Sequence, residues 1–584
     1  MLNRYLNFPI LLVLLAQLIY GCEGSDPQQE VLTIPTNAET ISEGEQLFLA
    51  NCSACHNFRQ RGIGPQLSGV TDQAETEWLF QFIHNAPQMI ESGDARAVSL
   101  YEEYQTYMPA FTQLDTAEIR SILAYMHTHQ DTVQVAQTAA DMGEPLENPV
   151  PDKIEHAGLQ LVVEEVATAP ATRQNSPLAR INKMLAFNGK LYIHDLQGIL
   201  YELKDGQFST FLDIREEKAD FIDKPGLGTG LGSFDFHPEY EENGLFYTTH
   251  TEAAGTAPAD FTYHDSIPVA LQWVLTEWTM NDPAAEQFAG SSREMLRINM
   301  VSGIHGMQEL TFNPTAAPGD ADYGLLYLSI GEGGAVINGY PQLCQNQALP
   351  WGSIFRLDPQ GTNSNNGQYG IPADNPYVNH PTALQEIFAY GFRNPHRISW
   401  DTGGDHKMLI SGIGQKNAEE INLGVAGANY GWCIREGTFA IDPDGNIDLP
   451  YPLPENDDAY GYTYPVAQYD HDEGRAISGG FVYRGDQLTE LAGQYVFGDI
   501  VTGRLFMVDS EHLELGSQQT VYELGLQANG KSTDWREVTD NKRVDLRFGV
   551  GTDDELYMFT KSDGKVWKVV DAVAQDEATA QANL

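Results

Sequence analysis

The spacing of apolar positions changes along the chain, and each change predicts a different element. From Phe8 to Tyr20 they form one run after a single charge at Arg4. That run is too short for a transmembrane helix and has the layout of a secretory signal over residues 1–21. Within a first domain from Thr36 to Gln130 the apolar positions recur at helical spacing from Thr116 to His127, which predicts an amphipathic helix there. Asp131 to His156 has Ala, Pro and Glu but no apolar period and reads as a linker. Beyond it a short apolar-aromatic strand recurs: Lys190 to Ile193, Leu245 to Tyr247, Leu326 to Leu328, Met408 to Ile410, Tyr495 to Phe497 and Leu556 to Met558. Each is followed, directly or after an insertion, by a second strand: Ile199 to Leu203, Met295 to Ile298, Ile354 to Leu357, Glu420 to Leu423, Arg504 to Val508 and Lys565 to Val569. Six such pairs with Gly and Asp at the turns predict an all-β, six-bladed propeller over 157–572, followed by a short tail at 573–584. A β-sandwich would also give short strands, but not six similar pairs.

The first domain carries the most specific chemistry. In Cys52-Ser53-Ala54-Cys55-His56 two thiols can each add across a haem vinyl group, and the histidine that follows is placed to ligate the iron. A zinc site would need a second Cys/His pair at ligand spacing, and a redox dithiol would usually open a helix after a strand. Neither context is present. Haem c needs a sixth ligand, and Met108, on the loop Tyr107 to Phe111, supplies a thioether. Met89 lies too near the middle of the domain, and Met126 falls inside a helix pattern where a core methionine is expected. With Gly44 to Phe48 before the cysteines and Gly62 to Leu67 after them, the domain resembles class I cytochromes c, which implies a small all-α fold. In that family the second stretch passes over the proximal histidine.

Charge and cysteine usage narrow the setting. The chain of 584 residues has 33 Lys and Arg against 81 Asp and Glu, a formal net charge of −48, which excludes nucleic acid and disfavours direct adsorption to an anionic membrane. Leu18-Ile19-Tyr20-Gly21-Cys22 resembles a bacterial lipobox, which implies that Cys22 becomes the lipidated first residue of the mature protein. The envelope location this implies is periplasm-facing and anchored to the membrane by lipid, and Glu23 resembles an outer-membrane sorting residue. Of five cysteines, one for lipid and two for haem leave Cys344 and Cys433, a candidate disulfide in an oxidising compartment.

The loops of the β domain carry a second resemblance. Gly391-Phe392-Arg393-Asn394-Pro395, Glu420 to Leu423, Gly427 to Trp432, Phe236 to Tyr240, Gly331 to Gly334, Tyr369 to Pro376 and Ile477 to Gly485 resemble the glucose/sorbosone dehydrogenase family, the six-bladed soluble quinoprotein type. The resemblance implies pyrroloquinoline quinone (PQQ) as cofactor, with an aldose or related alcohol as substrate. In that family a histidine takes the proton from the sugar C1 hydroxyl while hydride passes to the quinone, and His305 matches that position. Imidazole suits the task because its ordinary pKa lies near the working pH. Arg393 and Asn394 match the pair beside the quinone, and Gly414 and Gln415 match the carbonyls that hold calcium. The fused cytochrome then implies transfer to the chain's own haem and on to a respiratory acceptor.

Some positions depart from the family. Gly228 stands where it carries a glutamine and Val501 where it carries a lysine, while its Arg-x-Arg is spread here over Arg543 and Arg547. Members such as the Hedgehog-interacting proteins keep the propeller without redox chemistry, so the alternative is an electron-transfer cytochrome fused to a binding module or a different enzyme. Asp470-His471-Asp472 and Asp499 read by default as acidic loop.

Overall fold

The computed structural model describes residues 33–575 apart from 53–55, 57, 59–63, 105–106, 130–141, 227 and 265. The signal segment, Cys22, Cys55, part of the linker and most of the tail lie outside the described residues.

The N-terminal domain is helical. Helices α1 (Ala38–Asn51), α2 (Val70–Gln73), α3 (Thr76–Glu91), α4 (Ala95–Tyr104) and α5 (Thr116–His127) follow in order. The first starts where the Asn37 side chain accepts from Thr40 N, and the last at a capping box formed by Asp115 and Glu118. Helices α1 and α5 cross in contact because position 44 has no side chain: a Cβ on Gly44 would lie 1.8 Å from Ser121 O. Behind that crossing Phe48, Leu67, Leu79, Ile83, Ile119, Ile122 and Leu123 form one apolar cluster, against which Met108 packs. Among the described residues no helix is long and apolar enough to cross a membrane.

The β domain is a ring of six four-stranded blades among the described residues. Blade 1 comprises Ile181–Phe187, Lys190–Asp195, Ile199–Lys204 and Gln207–Asp213. Blade 2 comprises Leu231–Phe236, Leu245–Ala253, Leu271–Met280 and Gly290–Met300, and blade 3 Glu309–Phe312, Leu326–Ile330, Ser353–Leu357 and Ile387–Tyr390. Blade 4 comprises Pro395–Trp400, Met408–Gly412, Ala418–Leu423 and Ala467–Asp470, and blade 5 Ile477–Val482, Gln494–Asp499, Leu505–Asp509 and Tyr522–Ala528. Blade 6 takes Leu546–Val550, Leu556–Thr560 and Lys565–Ala574 from the end of the chain and its outer strand, Glu155–Thr168, from the start of the domain. That outer strand closes the circle, and it also pairs in parallel with the last strand of blade 5. The first strand of each blade packs on the first strands of both neighbours, so six inner strands line a central channel.

The recurring Leu-Tyr segments are the second strand of every blade, buried on both faces as in Leu326–Ile330. Blade 2 corrects one expected pairing. The strand after Leu245–Ala253 is Leu271–Met280, and Met295 to Ile298 belongs to the outer strand. A long excursion between residues 253 and 271 hides the true partner in the linear sequence. The outer strand of blade 6 begins at Glu155, so the end of the expected linker is already propeller, and Leu146 N donates to Pro450 O at 2.8 Å.

Candidate functional site

In the helical domain Cys52 caps the end of α1, its backbone N–H donating to Phe48 O, and His56 N donates back to Cys52 O at 3.0 Å. The His56 ring is half-buried and packs against Gly64, where a Cβ would come within 2.4 Å of the imidazole, and its Nδ1 pairs with Pro65 O at 2.9 Å. The stretch expected over the proximal histidine is therefore there. It commits Nδ1 to a carbonyl and leaves Nε2 for iron, the usual outer-sphere device for a ligating histidine. Burial lowers the His56 pKa and keeps the ring neutral, as a metal ligand must be. A buried Cys52, this oriented imidazole and a half-buried Met108 thioether fit haem c. Cys55 lies outside the described residues.

The second constellation sits at one end of the propeller channel. The loops that link one blade to the next and the turns between second and third strands all open at that end, here called the mouth. His305 lies on the loop from blade 2 to blade 3 with φ of 52°, a conformation that costs a non-glycine residue energy. Gly331 accommodates it, since a Cβ there would stand 2.4 Å from His305 O. His305 Nδ1 pairs with Glu332 Oε1 at 2.7 Å, and the same carboxylate accepts from Gly334 N and Val336 N, each at 2.9 Å. Burial, then the Arg393 guanidinium, pushes the His305 pKa down to about 4 against the pull of Glu332. Burial alone would raise Glu332, but the hydrogen bond from His305 leads the contributions that hold it below the ordinary carboxylate value. The pair is thus a neutral imidazole on an ionised carboxylate, with Nε2 as the basic nitrogen. The role of Glu332 was not visible in the sequence; its place in Gly331-Glu332-Gly333-Gly334, an acid among glycines, is the signal that could have marked it.

Arg393 and Asn394 reach the mouth from the loop between blades 3 and 4. Arg393 is buried over the Trp432 ring at 5.8 Å, and it donates to Gly414 O at 2.5 Å and to Gln415 Oε1 at 2.7 Å. Gly414 O, one of the two backbone carbonyls expected to hold calcium, therefore accepts from a guanidinium, and a cation on a carbonyl repels a second one. An organic cofactor would find open groups: Asn394 Oδ1 and His396 Nε2 are buried at the mouth and channel with no partner, and the Lys561 Nζ makes no hydrogen bond among the described residues.

Arg547 is buried and donates to Asn182 Oδ1 at 3.1 Å, whereas Arg543 is more exposed and pairs with Asp545 at 3.0 Å. Val501 brings no polar side chain. Deeper in the channel Lys183 and Arg397 share Glu309. His471 is paired to Glu419 at 2.9 Å, and Asp499 accepts from Arg475 N and Ala476 N, so both serve the loops that hold them. Cys344 and Cys433 are buried side by side as thiols, and the hydrogen bond between them, with burial, raises the Cys344 pKa.

Residues 189–566 match the family described as Glucose / Sorbosone dehydrogenase, and residues 41–130 match Cytochrome c. The chain is similar to the HIPL1 protein of Arabidopsis thaliana, 28% identical over 46% of this chain and 42% of that one. It is 25% identical to the Hedgehog-interacting protein of Mus musculus over 62% of this chain and 46% of that one. Aldose sugar dehydrogenase YliI of Escherichia coli is 24% identical over 42% and 57%. The chain spans less than half the length of the first curated relatives it matches. With a matched region covering most of its length and a closed ring of blades, the chain belongs to the glucose/sorbosone dehydrogenase family and carries a cytochrome c domain ahead of the family's propeller.

Proposed function

We propose that this chain is an exported quinoprotein-type oxidoreductase that oxidises an aldose sugar or related alcohol at the propeller mouth and passes the electrons to its own haem c. The observation that carries the reading is the buried His305–Glu332 pair beside Arg393. His305 accepts the proton of the substrate hydroxyl at Nε2, and Glu332 holds the productive tautomer and stabilises the imidazolium that forms. Arg393, fixed by Gly414 O and Gln415, sets a preorganised positive charge where negative charge develops. When bound, PQQ supplies the two-electron acceptor and haem c the one-electron outlet. The Tyr101 ring of the helical domain lies 4.6 Å from Lys542 Nζ, on a mouth-side loop of the propeller, which supports a short route between the two sites. The lipobox-like segment ending at Cys22 supports a lipid anchor, with the protein facing the periplasm at the outer membrane and a respiratory-chain acceptor downstream.

The test follows haem absorbance in the haem-loaded, lipid-free chain given PQQ and a panel of aldoses. Reduction that needs both quinone and sugar, and that His305→Ala stops, is the expected result. No quinone binding and no reduction with any sugar would overturn the reading. A second reading, a binding propeller with an independent cytochrome, draws on Val501 and on the similarity to the Hedgehog-interacting protein.

A further inference from the structure

Of the two departures that count against a quinone cofactor, Gly228 is answered by a neighbour in space and Val501 by the corresponding turn of the next blade. A Cβ at Gly228 would lie 1.8 Å from Nε2 of Gln308, so a side chain there would have to displace that amide. The backbone of Gly228 is outside the left-handed region, so its conformation does not demand glycine. What fills the space is an amide arriving from the loop before blade 3. Gln308 Oε1 takes long contacts from Asn394 Nδ2 at 3.5 Å and His396 Nδ1 at 3.3 Å, which turn Nε2 toward Gly228 O at 3.4 Å. A bond that long leaves donor capacity on the amide for a ligand.

The missing lysine has a similar counterpart. Val501 lies in the turn between the second and third strands of blade 5, and Lys561 lies in the same turn of blade 6, the next blade round the ring. Lys561 is 5% exposed and close enough to Arg547, Asp545, Arg180 and Arg397 to feel their charges. Asp545 is one carboxylate facing three cations, Arg543, Lys561 and Arg547, and it is hydrogen-bonded to the first. Arg547 donates only to the neutral Asn182 Oδ1 and Leu546 O among the described residues. Burial, then the Arg547 charge, pushes the Lys561 pKa well below the ordinary lysine value, and burial brings that of Arg547 down to about 9, so this corner of the channel lacks an anion that would favour its charged forms.

We propose that Lys561 and Gln308 are the ligand-binding lysine and glutamine of this mouth, replacing positions 501 and 228, and that they hold a polycarboxylate anion. That the anion is the quinone tricarboxylate rests on the function proposed above.

Calorimetric titration of the haem-loaded full chain with PQQ and with trimesate, a redox-inert benzene tricarboxylate, tests this. Lys561→Met should weaken both ligands about tenfold or more, as expected for loss of a charge-assisted hydrogen bond, and Lys561→Arg should keep most of the affinity. Gln308→Ala should weaken PQQ, and adding Gly228→Gln to it should restore binding by returning the amide from the other loop. The melting temperature of ligand-free Lys561→Met should hold or rise, because a buried amine without a hydrogen-bond partner is gone; a purely structural lysine would lower it. Unchanged affinity for both ligands in Lys561→Met overturns the proposal even if sugar oxidation is confirmed. Lys561-dependent binding of trimesate without PQQ binding sustains the anion pocket and removes the quinone. Wild-type protein that binds neither overturns it.

Discussion

The groups placed to hold haem in the helical domain come from one short stretch, Cys52 to His56, with Gly64, Pro65 and Met108 closing round it. The mouth of the propeller draws His305 from one inter-blade loop, Glu332 from a turn of blade 3, Arg393 from the next loop and Lys561 from blade 6. One site is written in consecutive residues because covalent attachment requires fixed spacing along the chain. The other depends only on where side chains end in space, so a glutamine or a lysine can be delivered from a different loop and the pocket kept. The difference teaches that a missing motif residue is strong evidence against a covalent haem site and weak evidence against a non-covalent cofactor site.

The largest effect is expected from breaking the contiguous site. Cys52→Ala together with Cys55→Ala, or His56→Ala alone, should remove the haem absorbance and end haem reduction by sugar. Quinone-dependent sugar oxidation with a soluble artificial acceptor should persist. In the mouth, His305→Ala should lower kcat/KM by about 10²- to 10⁴-fold with the haem spectrum unchanged, and Glu332→Gln by about 10- to 100-fold.

A pH profile sharpens the same contrast. His305 works as a base only when neutral, and burial and Arg393 hold its pKa down to about 4. The acid limb of kcat/KM is therefore expected near pH 4 rather than near the ordinary histidine value. Arg393→Gln removes a charge that opposes protonation and should move the limb up, while Glu332→Gln removes one that favours it and should move the limb down. The smallest effect is on stability alone. Leu161→Ala, in the strand that closes the ring, should cost the propeller about 2–5 kcal/mol in calorimetry and leave the haem spectrum as it was.

How legible each part was follows from the same physics. Second strands such as Leu326–Ile330 are buried on both faces and show as apolar-aromatic runs. The first strands were harder to see because they line the channel and carry its polar groups: Asn182 and Lys183, Ser233 and Asp235, Glu309, His396 and Arg397, and Arg547. Those residues break the apolar pattern that marks a strand. His305 and Arg393 were found through a family resemblance, and Cys52 and His56 through chemistry. Glu332, Gln308 and Lys561 needed the fold, since nothing in their local sequence says which loop they will meet. That Arg393, far from Gly414 and Gln415 in sequence, donates to the loop expected to hold calcium was not legible either.

The most direct test of electron flow from the mouth to the chain's own haem is a single-turnover stopped-flow measurement, mixing PQQ-loaded full chain with an aldose and varying the protein concentration. Intramolecular transfer predicts a rate of haem reduction that does not change with concentration. A rate that rises in proportion to concentration would mean that electrons pass between chains, and would contradict the account.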